Sequence, residues 1–218
     1  MANRPRRHDD LKDACIKVAL TIVEERGVEA LSLRDVARRL GVSHQAPYTH
    51  FPSRDHILAE MVARAFRAFA NHLEARLPTA SEHEDLAAIG RAYLGYALQN
   101  PLNYRLMFAT PLPDPAAHPD MMRDARHAFA MLVDGIARIH AAEGRPADTD
   151  RAAQDAMFVW SVMHGLAGIL NGPTINTLGV PAHVIAETPE AVLFRIGPAL
   201  GFTGSAPASG SGPPPGRG

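Results

Sequence analysis

The sequence predicts an all-α protein of about nine helices: an N-terminal three-helix unit with helix-turn-helix character, followed by a larger helical domain. Three observations carry this reading. Apolar residues recur at helical spacing through most of the chain, and no β-alternation of useful length appears. Glycine and proline fall between the periodic segments. The stretch Leu31 to Phe51 spells two short helices joined at Gly41.

In the first helix, Leu11, Ala14, Cys15, Val18, Ala19, Ile22 and Val23 trace one stripe, closed by Gly27. Ser32 has N-cap chemistry, and Asp35 three residues on completes a capping-box pattern. Val36, Ala37 and Leu40 share one face of the next helix, and Gly41 can stop it in a left-handed conformation. Ser43 can cap a second helix from His44 to about His50. Its exposed face carries hydrogen-bonding side chains and no carboxylate, as a surface entering a DNA groove requires. Pro47 lies within its first turn, where a missing N–H costs little, so this helix is expected to persist.

Pro52-Ser53 opens a long helix through Ile57, Met61, Phe66 and Leu73, and Pro78 is expected to end it. Leu86, Ile89, Tyr93 and Tyr96 mark another helix, broken at Asn100-Pro101. A short helix to Phe108 precedes a loop with four prolines, Thr110 to Pro119. A long helix from Met122 to Ile139 closes near Gly144, and Asp148 or Thr149 can start the helix holding Ala156 to Leu170. That run is apolar almost all round, so burial on several sides is expected, with a second copy supplying part of it. Thr188 can cap a final helix through Val192, Phe194 and Ile196, which is expected to join this interface. The Gly/Ser/Pro-rich residues 204–218 read as a disordered tail.

Charge sharpens the division. Residues 1–54 carry ten Lys/Arg against seven Asp/Glu, whereas the remainder carries 12 against 16. A basic front module on an acidic body suits a nucleic-acid reader joined to a domain of another kind, with boundaries at 1–54, 55–203 and 204–218. One cysteine, Cys15, excludes an internal disulfide framework. The start lacks a signal-peptide core, and Ala156 to Leu170 is too short to span a bilayer, so a cytoplasmic location is expected. Eleven histidines invite a metal reading, but none stands four residues from another, so no metal is expected. No nucleophile elbow, phosphate loop or dinucleotide glycine motif is present, so neither cofactor nor enzyme activity is expected.

The block Val28 to Met61 resembles the DNA-binding domain of TetR-family (tetracycline-repressor-like) transcription regulators. Gly41-Val42-Ser43, then Tyr48-x-His50-Phe51, Arg54 and Leu58, carry the likeness. Trp160-x-x-x-His164-Gly165, preceded by Tyr104 to Phe108, resembles the regulatory domain of the Trp…His-Gly subgroup. The resemblance implies a homodimeric repressor that binds a palindromic double-stranded DNA operator and is released by a small-molecule effector.

On this reading Gln45 can pair bidentately with adenine, and His44 can donate to guanine or phosphate. Ala46 and Pro47 offer contact to a thymine methyl. Tyr48, Thr49, His50 and Arg54 are expected near phosphates, which fix register without reading sequence, and Ser43 is counted with them among the DNA-binding residues. Arg34 can reach a phosphate or a base edge, and Arg4, Arg6 and Arg7 can form a minor-groove arm. Tyr93, Tyr96, Met107, Phe108, Met157, Trp160 and His164 are expected to line an apolar effector cavity with a few polar handles. Two competing readings are a helical small-molecule carrier with a vestigial reader and a helical-bundle enzyme working near His164.

Overall fold

The computed structural model describes residues 5–77 and 79–203, with side chains from Asp10 onward. Among the described residues there are eight α-helices: α1 (Pro5–Arg26), α2 (Leu33–Leu40), α3 (Arg54–Glu74), α4 (Glu82–Gln99), α5 (Pro101–Phe108), α6 (Arg123–Ala142), α7 (Thr149–Asn171) and α8 (Ala182–Ala199). Short 3₁₀ turns at Val28–Ala30, Pro47–Thr49 and Pro173–Thr177 punctuate them. Arg4, Pro78 and the 204–218 tail lie outside the described residues, as do the side chains of Arg6 and Arg7.

The chain forms two compact units. The first joins the residues up to Glu74 with Gln99–Ala128, and the second joins Ala75–Leu98 with the residues from Phe129 onward. In the first unit α2, α3 and the 3₁₀ turns pack on α1, and α5 packs on α3. Cys15, Ile16, Ala19, Ile22 and Val23 of α1 are buried together with Leu33, Val36 and Ala37 of α2 and Ile57, Leu58 and Met61 of α3. Each fully buried aliphatic side chain contributes about 1.5–3 kcal/mol. Arg64 of α3 clasps α1 through Asp13 at 2.8 Å while bonding Glu60, and Lys12 reaches Glu60 at 3.3 Å.

Ser32 caps α2 by accepting the Asp35 N–H at 3.1 Å. The capping box is only half formed, because the Asp35 carboxylate turns to Arg26 and Arg38 instead of reaching back to Ser32. Gly41 ends α2 at φ 67°, and the Val42 N–H returns to the Ala37 carbonyl at 3.1 Å. This is a Schellman closure, and the left-handed residue at its centre is what turns the chain toward 43–51.

The expected second α-helix over 44–50 is not α-helical. Its turns close by i→i−3 bonds, Ala46 to Ser43, Tyr48 to Gln45, Thr49 to Ala46 and His50 to Pro47, and only Pro47–Thr49 is 3₁₀. Pro47 has no N–H with which to bond the Ser43 carbonyl, which removes the first α-type bond of a segment only two turns long. Ser53 accepts the His56 N–H at 3.4 Å at the start of α3.

In the second unit Asp148 caps α7 by accepting the Arg151 N–H at 3.0 Å. Thr188 does not cap a helix: α8 starts earlier, at Ala182, and the Thr188 hydroxyl bonds the Val184 carbonyl at 2.7 Å. That back-bond is available to a mid-helix threonine, and it sits beside Pro189, which has no N–H to donate. The C-terminal end of α8 closes by another Schellman turn at Gly201, with the Phe202 N–H on the Gly197 carbonyl at 2.9 Å.

Gly41→Ala places a Cβ on a left-handed residue, which costs about 1–2 kcal/mol. Denaturant unfolding should show a loss of that size, with helix content of the folded state unchanged.

Candidate functional site

The segment after Gly41 presents a row of polar side chains. Ser43, His44, Gln45 and Thr49 are exposed, and Tyr48 is 46% exposed. Pro47 points the other way and is buried, so it serves the core and is not available to a thymine methyl; Ala46 and His50 are half-buried. The inward turn of Pro47 anchors the segment while its neighbours face solvent. Thr49 Oγ1 donates to the Ala46 carbonyl at 2.7 Å, tightening the same turn. Phe51 is buried, in keeping with a core role.

Arginines distribute unequally over this surface. Asp35 receives Arg38 Nε at 3.0 Å, contacts Arg26, and lies 3.7 Å from Arg39, whose other partner is Glu25 at 2.7 Å. The hydrogen bond from Arg38, supported by that from Arg26, holds the Asp35 carboxyl below its usual range. Arg34, exposed on the first turn of α2, makes no ion pair among the described residues. Its charge remains available to an anion. Arg54 is differently engaged: its guanidinium donates to the carbonyls of Leu31 at 3.2 Å and Val28 at 2.8 Å, bracing the turn ahead of α2.

In the second unit Tyr93 and His164 meet, Oη to Nδ1 at 3.2 Å. The Trp160 ring lies 5.9 Å from His164 and 6.2 Å from Phe129, centroid to centroid. Burial holds the His164 pKa below its usual value, so the neutral imidazole is favoured. Tyr96 is buried on the same helix as Tyr93, whereas Met157 is 46% exposed on α7. Met107 and Phe108 fall in the first unit, where Phe108 packs on Phe66 at 5.7 Å and Tyr104 at 5.1 Å. Of the sequence-predicted effector set, Tyr93, Trp160 and His164 are brought together within the second unit.

Residues 16–61 match the family model described as "Bacterial regulatory proteins, tetR family", and residues 86–183 match "Tetracyclin repressor-like, C-terminal domain". The chain belongs to the TetR family. Both halves of the TetR arrangement are covered, and the second match spans Trp160, His164 and Gly165. HTH-type transcriptional regulators of Mycobacterium tuberculosis and Mycobacterium bovis are 34% identical over 119 residues, 50% of this chain and 51% of theirs. The chain thus spans about half the length of the curated relatives it matches. A solved structure described as a regulatory protein, SCO4313, is 28% identical, with a TM-score of 0.73 over 89% of this chain and 98% of that one. The fold is also that of the TetR-family transcriptional regulator PfmR from Thermus thermophilus, at 24% identity, a TM-score of 0.60, and 82% and 96% coverage. The family and its named relatives are transcriptional regulators and not enzymes. No helix among the described residues is long and apolar enough to cross a membrane.

A TetR reading from sequence missed one feature of the second unit. A groove of about 410 Å³ runs between α4 and α8, and it shares no residue with the predicted effector set. Its lining comes from two stretches far apart in the chain, 81–91 and 159–202, so no local pattern announces it.

Two titrations follow. The lowered Asp35 pKa gives stability that is present above the ordinary carboxylate value of 3.8 and is lost as pH falls through the folded value. Asp35→Asn should lower stability at neutral pH and flatten the acid limb of the unfolding profile. For His164 the folded state disfavours the proton, so stability falls as pH drops from about 6.5 toward the lower folded value. NMR of the imidazole should report that lower value, and Tyr93→Phe tests how far the 3.2 Å contact contributes.

Proposed function

We propose that this chain is a cytoplasmic, homodimeric DNA-binding repressor that occupies a two-fold operator and is released by a small-molecule effector. The observation that carries the reading is the exposed row Ser43, His44, Gln45, Tyr48 and Thr49, held outward by buried Pro47 beside Arg34 with its available charge. Residues 1–54 act as reader, and 55–203 bind effector and dimerise. Gln45 reads adenine through its amide, with His44 beside it, while Tyr48, Thr49, Ser43 and half-buried His50 contact phosphates. Arg34 supplies a charge for the backbone, and Arg54 keeps the reader turn in register from behind.

Dimerisation rests on apolar surface that one chain leaves in water. On α7, Phe158 is 41% and Ile169 is 55% exposed, with Gly165 and Gly168 also exposed between them. Val184 of α8 is likewise exposed. Two copies packing these helices together would form a four-helix interface and cover the patch. The two readers then enter major grooves about one helical turn, roughly 34–36 Å, apart. An effector engaging Tyr93, Trp160 and His164 lowers operator affinity only by its preference for a dimer with another reader spacing.

Footprinting across the DNA flanking the chain's own gene, at two salt concentrations, tests the proposal. A protected, roughly palindromic site with steep salt dependence is expected. On that site Gln45→Ala should relax preference at one position per half-site, at about 1–3 kcal/mol. Tyr48→Phe should weaken all sequences alike. Equal losses for Gln45→Ala on operator and random DNA would remove its base-reading role.

A further inference from the structure

The groove between α4 and α8 has the make-up of a ligand site with a definite charge preference. Its volume of about 410 Å³ lies within the range of small-molecule sites. The floor is apolar and closed: Leu86, Leu193, Ile196 and Phe202 are each buried. At one end the helices approach so closely that a Cβ on Gly90 would collide with Leu193, which fixes the groove's depth without a side chain filling it. The floor is also rigid at its other end, where Arg145 stacks on Phe202 at 5.0 Å and bonds the carbonyls that close α8.

The rim carries the charge. Arg91 is the single guanidinium in the lining, and it donates twice to Glu190 across the groove, at 2.9 and 3.0 Å. Glu84 also lines the groove, near enough for its charge to act on Arg91 without a direct ion pair among the described residues. His83, the remaining ionisable group of the lining, is turned to Glu143 at 3.2 Å. Arg91 thus faces two carboxylates, bonded to Glu190 and influenced by Glu84, and the rim keeps one excess negative charge. Phe194, 53% exposed, adds an aromatic face to the same rim. A carboxylate, an aromatic face and an apolar floor together match an organic cation carrying an apolar body, because the charge gains both a counter-ion and a ring quadrupole while the body leaves water.

We infer that the α4–α8 groove binds amphipathic organic cations, with Glu84 and Phe194 holding the charged end and Leu86, Leu193 and Ile196 the apolar body. A carboxylate ligand of equal size meets a rim on which two carboxylates, Glu84 and Glu190, outnumber the one guanidinium of Arg91, and is disfavoured. This inference does not depend on DNA binding or on the Tyr93–Trp160–His164 cluster.

A matched pair of fluorescent probes tests it on the full chain. Dansylcadaverine ends in an ammonium group, and N-dansyl-6-aminohexanoate carries the same fluorophore with a carboxylate. Fluorescence titration should give the cation at least ten-fold tighter binding. Glu84→Gln should erase most of that difference, and Phe194→Ala should weaken the cation several-fold while leaving the anion unchanged. Neither side chain is part of the buried core, so these variants fold. Ala87→Trp, which fills the groove, should abolish binding of the cation. Equal affinity for the two probes, or a preference that survives both Glu84→Gln and Ala87→Trp, would overturn the inference. Operator footprinting of the same variants keeps failure here distinct from failure of the regulatory reading.

Discussion

Helix α3 can hide its apolar surface only if other helices cover it on more than one side, and the first unit is organised around that requirement. Ile57, Leu58, Met61, Val62, Phe66, Phe69 and Leu73 are buried, and so are Ala59, Ala63 and Ala70, which widens the buried face beyond one stripe. Helix α1 covers part of it and α5 another part. Residues 99–128 are thereby folded into the same compact unit as the reader turn, although they are distant from it in sequence. Arg105 of α5 bonds the Val23 carbonyl at 3.4 Å, near the end of α1, and the rings of His118 and His56 meet at 4.8 Å. The reader is held by contacts from the middle of the chain as well as by its own three segments.

On that frame, charge decides what faces outward. A carboxylate on a DNA-facing module opposes binding unless it is neutralised, and Asp35 is neutralised several times over by Arg26, Arg38 and Arg39. Those arginines are structural by the same token. Arg34, on the same helix, is left over. The division between spent and available arginines of α2 follows from which side chains can reach Asp35 and Glu25, and it leaves the charge of Arg34 directed outward.

The second unit has the opposite imbalance, in hydrophobicity instead of charge. One face of α7 is satisfied by Ala152, Ala156, Val159, Met163, Leu166 and Ala167, all buried, while Phe158 and Ile169 stand in water. A helix apolar on all sides is stable when each side is covered. The small residues Gly165 and Gly168 on the outer face permit close approach by another helix. The aromatic group of Phe129, Trp160 and His164 lies on yet another side of α7, so this one helix supports two distinct surfaces.

Local sequence was enough to establish the all-helical class, the cap at Ser32, the left-handed stop at Gly41 and the helix Pro101–Phe108, and it narrowed the start of α7 to Asp148 or Thr149, of which Asp148 is the cap. Each depends on residues within a few positions of one another, where spacing and side-chain chemistry act directly. The outward row after Gly41 was legible for the same reason. Local reasoning failed where two local rules competed: Pro47 is tolerated in a first helical turn, but in a segment so short its missing N–H leaves residues 44–50 to close by i→i−3 bonds. At Thr188, capping chemistry was present but the helix had already begun at Ala182. Tertiary packing, in contrast, set Arg54 to brace backbone carbonyls, left Arg34 of the α2 arginines without an ion pair, and opened a groove with one excess carboxylate between α4 and α8. These depend on which distant atoms come within bonding reach, and helical periodicity specifies the face of a helix without naming the partner that will meet it.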